Sequence, residues 1–361
     1  MATRNRLFAV VTLPIGAAVL VAGAWFATAG DLNPPVGPVT PTYKTLTEVE
    51  PRTAVSATNT PGDADSLFKI TQRGSYYLTG NVTGVVGKHG IEIVASGVTL
   101  DLNGFDLLGI AGSLDGVSTT VASLTNLAVI NGSVRNWGDE GIDLAINSPA
   151  NCRVAGLLAS GNAGNGIAIG QGGTASNCSA YLNGVNGILV GNGCTVTHCS
   201  AYQNTGSGII TGSGCTVAVC SVRLNSLVGI SVVASCTVVD CSAQSNTLDG
   251  IACISACIIR SNTCSVNGNG AGDGAGINAV SNDNRIEGNN CTGADRGIDI
   301  DSSGNIVIKN TCSGNAINWV IVANNVCGPI LDRTAPASAA ISGNSAVDST
   351  GSTHPNANFS Y

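Results

Sequence analysis

Two short stretches carry side chains that could do chemistry. ADRGIDIDSS holds Asp295, Arg296, Asp299 and Asp301, and WGDEGIDL holds Asp139, Glu140 and Asp143. Asp299 and Asp301 are two residues apart, so on a strand they point to the same side. Paired carboxylates beside an arginine can bind Ca²⁺ or a polar sugar, or move protons. The alternative is that these acids are solvated outward residues that keep the molecule soluble. A third position is Asp273, in the loop from Asn267 to Ala275, because a projecting loop is a common seat of specificity. Other chemistries find little support. Three histidines are scattered over 361 residues, and neither a G-x-S-x-G elbow nor a G-x-x-x-x-G-K-[ST] phosphate loop is present.

The elements that would position these acids follow from a repeat. Residues Gly166 to Asp249 are four copies of a 21-residue unit that opens with Gly-Ile. Its opening isoleucines are Ile167, Ile188, Ile209 and Ile230, and the series extends to Ile142, Ile251, Ile277 and Ile298. Within a unit, apolar or small residues come in pairs two apart, which is the strand period. Gly, Ser, Thr and Asn lie between the pairs and favour bends. Each unit therefore reads as three short strands, which cannot bury their inward side until units stack. The expected fold is all-β, a parallel β-helix of about eleven turns and roughly 50 Å in length, counted from Gly90 to Val322. A leucine-rich repeat has a similar period, but its L-x-x-L-x-L signature is missing.

Stacking turns each repeat position into a column. One cysteine column is expected at Cys152, Cys194, Cys215, Cys236 and Cys257, and a second at Cys178, Cys199, Cys220 and Cys241. In the next turn Asn262 takes the place of the second column, and Cys264, Cys291 and Cys312 sit two residues further on. An asparagine column is expected at Asn162, Asn183, Asn204, Asn225, Asn246 and Asn267. Amides at this spacing can each donate to one neighbour and accept from the other. The favoured reading of the cysteines is buried free thiols acting as small filler. Disulfides are the second reading, although parallel Cβ vectors about 4.8 Å apart do not suit an unstrained bridge. A thiolate metal site is the third, and C-x-x-C spacing is absent, so no metal is expected there.

The chain divides by composition. Residues 1–29 carry Arg4 and Arg6, an apolar run and Ala27-Thr28-Ala29, and read as a signal peptide, with an uncleaved anchor helix as the alternative. Residues 30–43 are a proline-rich linker, 44–89 an N-terminal cap, 90–327 the β-helix and 328–361 a C-terminal cap or tail. This places the protein outside the cytoplasm, secreted, at the cell surface or in the periplasm. A net charge of −7 without a basic patch argues against nucleic acid as a partner, and against membrane except through an uncleaved N-terminal segment.

GIEIVASGVTLDLNGFDLLG and the Gly-Ile turns after it resemble right-handed parallel β-helix repeat proteins of the pectate-lyase-like superfold, over about Gly90 to Val322. The segment TPGDADSLFKITQRGSYYLTGNV and the tail PNANFSY are similar to parts of exported bacterial β-helix proteins whose role is not established. The resemblance implies the fold and leaves activity open, because this superfold hosts many functions. The N-T-D, D-D, G-H-G and R-I-K set of the related polygalacturonases is absent. Lyases of this fold use acidic Ca²⁺ ligands with a catalytic Arg or Lys, and Asp299, Asp301 and Arg296 match that set by residue type alone. The leading expectation is non-catalytic binding of polysaccharide or cell-envelope components through an outward face, with no cofactor except Ca²⁺ as a candidate. A polysaccharide lyase or glycoside hydrolase is one alternative, and a structural or adhesive surface rod is another. A groove with three or more acids and a basic residue on adjacent turns would favour the enzyme.

Overall fold

The computed structural model describes residues 49–270, 272–332 and 354–361. The expected leader and linker, residues 1–43, lie outside them, as does most of the expected C-terminal tail. The folded unit, from Glu50 to Tyr361, is a parallel β-helix. A first sheet of twelve parallel strands starts at Ser66–Ile70, passes through Ile188–Val190 and ends at Ile317–Ile321. A second sheet contains Thr195–Thr197 and its equivalents, and a third contains Ser200–Tyr202 and its equivalents. The longer strands Ala128–Arg135 and Arg153–Ser160 run through both the second and the third sheet. The coil has about thirteen turns rather than eleven. The addition comes at the start, where Ser66–Ile70 already pairs in parallel with His89–Ile93, and Gly74–Tyr77 with Val98–Asp101. That segment lacks the Gly-Ile signature, so the repeat did not reveal it.

Every opening isoleucine from Ile142 to Ile298 is fully buried, and consecutive ones are register partners. The glycine before each is required by close approach. A Cβ on Gly187 would lie 2.6 Å from the carbonyl oxygen of Gly208 and 2.7 Å from the amide of Asn204. No side chain larger than hydrogen fits between turns at that corner.

The asparagine column forms as expected. Asn204 Nδ2 donates to Asn225 Oδ1 at 3.0 Å, and Asn204 Oδ1 accepts both the backbone and the side-chain N–H of Asn183. All fourteen cysteines are free thiols, and only Cys327 is exposed. They do more than fill space. The backbone N–H of Cys194 donates to Cys215 Sγ at 3.2 Å, and Cys215 Sγ donates to the Gly191 carbonyl at 3.1 Å. Where a cysteine column stops, asparagine takes over the same bonds. Cys241 N–H donates to Asn262 Oδ1, and Cys257 N–H to Asn284 Oδ1, each at 2.9 Å. Both side chains are short groups able to satisfy the turn before them, which is why the two residue types interchange at these corners.

Candidate active site

Two columns on the outside of the first sheet carry a concentration of acids. One is the residue immediately before the Gly-Ile or Gly-Val that opens a first-sheet strand: His89, Asp115, Glu140, Asn165, Asn186 and Ser207 in successive turns. The other is the outward residue in the middle of the strand, such as Glu92, Ser118 and Asp143. Between them, at the early turns, lies a groove of about 640 Å³ lined by His89, Asp115, Thr119, Asp139, Glu140 and Asp143 among others.

The first column is a chain of hydrogen bonds. The backbone N–H of Asp115 and its carboxylate Oδ2 both lie 3.2 Å from His89 Nδ1. Nδ1 without a proton can accept the first, and Nδ1–H can donate to the second, so the proton on Nδ1 selects the bond. The backbone N–H of Glu140 donates to Asp115 Oδ1 at 3.0 Å, and Asn165 Nδ2 donates to Glu140 Oε1 at 3.0 Å. Beyond that the ladder is neutral, with Asn186 donating to Asn165 Oδ1.

Burial and crowding set the charge states. Burial raises the Glu140 carboxyl, the hydrogen bond and charge of Asp139 and the charge of Asp115 add to it, and the pKa is about 7. Burial also raises Asp143, against the pull of the Ala145 and Ile146 N–H groups, which donate to its Oδ1. At His89 burial acts to lower the pKa, but the hydrogen bond and charge of Asp115, with Asp65 and Glu92, outweigh it and hold the imidazole above its ordinary value. Thr119 Oγ1 is buried behind the groove wall with no hydrogen-bond partner. Oxygens of Asp115, Asp139 and Glu140 lie within 4.8 Å of one another. These are hard donors that fit a Ca²⁺ or Mg²⁺ ion, which would hold Glu140 ionised.

Asp139, Glu140 and Asp143 thus come together as expected from the sequence. His89, Asp115 and Thr119 belong with them and were not anticipated. A partial signal existed in the residue that precedes the Gly-Ile or Gly-Val opening each early first-sheet strand, which reads H, D, E, N, N, S once the register has separated these pairs from others such as Gly109-Ile110.

The other candidates fall in a second cluster further along the same sheet, with Asp299 seven turns beyond Asp143 in its column. Asp299 is 1% exposed and sits in register with Asn278. Its Oδ2 pairs with Arg296 at 2.5 Å, while its Oδ1 and Asn278 Oδ1 are buried without partners. Burial, with the charges of Asp299 and Asp301, raises Asp249 to about 6, although the Ala275 N–H and the Asn278 amide oppose this. Burial and Asp299 also raise Asp301. Asp295 has a different place. Its carboxylate accepts N–H bonds from Gly270, Gly272 and Gly274 and so pins the loop that carries Asp273, which is itself exposed.

Residues 141–292 match the family model described as a right-handed β-helix region. Among solved structures, the A-module of the Azotobacter vinelandii mannuronan C-5 epimerase AlgE6 is similar, with 16% identity and a TM-score of 0.59 over 77% of this chain and 87% of that one. The AlgE4 A-module from the same organism has 16% identity and a TM-score of 0.53 over 71% of this chain and 91% of that one. No curated protein matches the chain in sequence. These likenesses establish a right-handed parallel β-helix.

Proposed function

We propose that this protein works outside the cytoplasm, that it binds polysaccharide along the outside of its first sheet and that the acidic groove performs acid–base chemistry on the bound sugar. One observation carries the reading. Glu140, with a pKa of about 7, lies in a groove against the His89–Asp115 pair, so a proton-exchanging carboxyl adjoins a second titrating group on the next turns. A group whose pKa lies near the working pH is the most effective proton carrier. Four carboxyls and an imidazole on adjacent turns also meet the arrangement that favours an enzyme over a passive binding face. The β-helix A-modules of two mannuronan C-5 epimerases share the fold, which supports a polysaccharide as the ligand class.

In this reading Glu140 exchanges the proton, His89 is the second acid–base group, Asp115 orients it, and Asp139 and Asp143 receive sugar hydroxyls. The test is a screen of purified protein against acidic and neutral polysaccharides, with and without Ca²⁺. It reads retention, reducing ends and unsaturated-product absorbance. Glu140→Gln is expected to lower turnover by about 100-fold or more with retention preserved. Retention without turnover in the native protein would leave the binding half standing and remove the catalytic half. Neither retention nor turnover would leave a structural rod.

A further inference from the structure

The third sheet carries a stack of flat side chains with one rung missing. Arg135, Ser160, Tyr181, Tyr202 and Arg223 are successive register partners on its outer side. The Tyr181 and Tyr202 rings stack at 4.9 Å with 9° between their planes, and the Arg223 guanidinium lies 4.8 Å over the other face of Tyr202. Both faces of Tyr202 are therefore covered. The Tyr181 face toward the preceding turn has no planar partner, because that turn carries Ser160 where a flat group would continue the pile. A cavity of about 440 Å³ opens here, bounded by Leu158, Ser160, Ser179, Tyr181, Tyr202 and Arg223. Leu158 is 58% exposed beside it and gives the cavity an apolar wall.

We propose that this gap is a binding site for one pyranose ring of an anionic polysaccharide, seated on the free face of Tyr181. The C–H face of a pyranose carries partial positive charge and is attracted to the negative face of an aromatic ring, while its hydroxyls reach Ser179 at the side of the gap. Turns lie about 4.8 Å apart, so an open rung between Tyr181 and Arg135 has the thickness of a single ring. Charge selects the class of sugar. The protein's net charge is −7, yet outward strand positions of this sheet from Ser133 to Ser313 include no carboxylate. Their only charged residues are Arg135 and Arg223. Arg135 is paired with Asp106, and Arg223 has no carboxylate partner among the described residues, so a sugar acid can take it. The ligand class rests on the polysaccharide reading above, but the site lies on a different sheet from the groove.

The test is calorimetric titration with tetragalacturonate and with cellotetraose. Tetragalacturonate is expected to bind and cellotetraose to bind at least about tenfold more weakly, with the difference shrinking as salt rises. Tyr181→Ala and Arg223→Ala should each weaken tetragalacturonate about tenfold. Ser160→Tyr fills the open rung from within. It should abolish this binding while raising the melting temperature, and Ser160→Ala should retain binding. Equal binding by the native protein and Ser160→Tyr would overturn the site and leave the groove reading untouched. So would a preference for cellotetraose, or no binding of either sugar. Turnover in the groove, where the screen finds it, should be the same in Ser160→Tyr as in the native protein, so the two readings fail separately.

Discussion

Glu140 receives its place from Asp115, whose Oδ1 accepts the Glu140 backbone N–H at 3.0 Å. That bond fixes the Glu140 backbone, and Asn165 Nδ2, donating to Glu140 Oε1 at 3.0 Å, holds the side chain. The outcome is a carboxyl raised from the ordinary 4.5 to about 7 by burial and by two acidic neighbours.

This gives a pH signature. A carboxyl with a raised folded pKa stabilises the fold most when protonated, and that contribution fades as pH climbs from its unfolded value through its folded one. For Glu140 the window is pH 4.5 to about 7, and for Asp249 it is 3.8 to about 6. The melting temperature should fall across this range, and Glu140→Gln should flatten the fall. Thermal melts at half-unit pH steps check it, and an identical slope in both proteins would contradict the assignment.

The buried asparagines should be costly to remove. Asn204→Ala strands the Asn183 N–H and the Ala180 carbonyl oxygen and breaks the amide chain on both sides. Leaving such groups buried and unpaired costs about 3 kcal/mol. Asn165 is 8% exposed and bonds at the rim of the groove, so Asn165→Ala should cost only about 1 kcal/mol. Urea unfolding of the two variants gives the comparison.

The thiols can be separated into filler and bonding roles. Cys215→Ser keeps a group that can accept the Cys194 N–H and donate to Gly191, whereas Cys215→Ala cannot. The serine variant should be more stable than the alanine variant by about 1 kcal/mol. Equal stability would return Cys215 to simple space filling.

Asp299 depends on Arg296. Arg296→Met leaves a nearly buried carboxylate without its cation and should cost about 3 kcal/mol, the usual result of removing one partner of a buried pair. Adding Asp299→Asn should recover most of that loss. A double variant no better than the single one would show that the pair is not coupled.

The repeat was legible because each position meets the same surroundings in every turn. Ile188 and Ile209 both fill the core, Gly187 and Gly208 both pass under a neighbouring carbonyl, and identical demands select identical residues. The site was only half legible for the same reason. Asp139, Glu140 and Asp143 stand out as an acidic run, but His89 and Asp115 are single residues 25 or 26 positions away from their equivalents. They become neighbours only once the register is known. Asp299 shows a further limit. Strand alternation puts it on the outward side, yet Arg296 and the adjoining column cover it, and alternation says nothing about cover.

The last asparagine bond of the second-sheet to third-sheet corner does not come from the next turn. Asn310 donates its backbone N–H to Oδ1 of Asn358, which stands 48 residues later and also reaches the carbonyl oxygens of Val307 and Gly328. The strand Asn358–Ser360 thereby takes the next rung of the third sheet and lies between Thr311–Ser313 and Ile330–Asp332. Without it those two strands would each lose a neighbour, and two unpaired edges would be open to other molecules of the same kind.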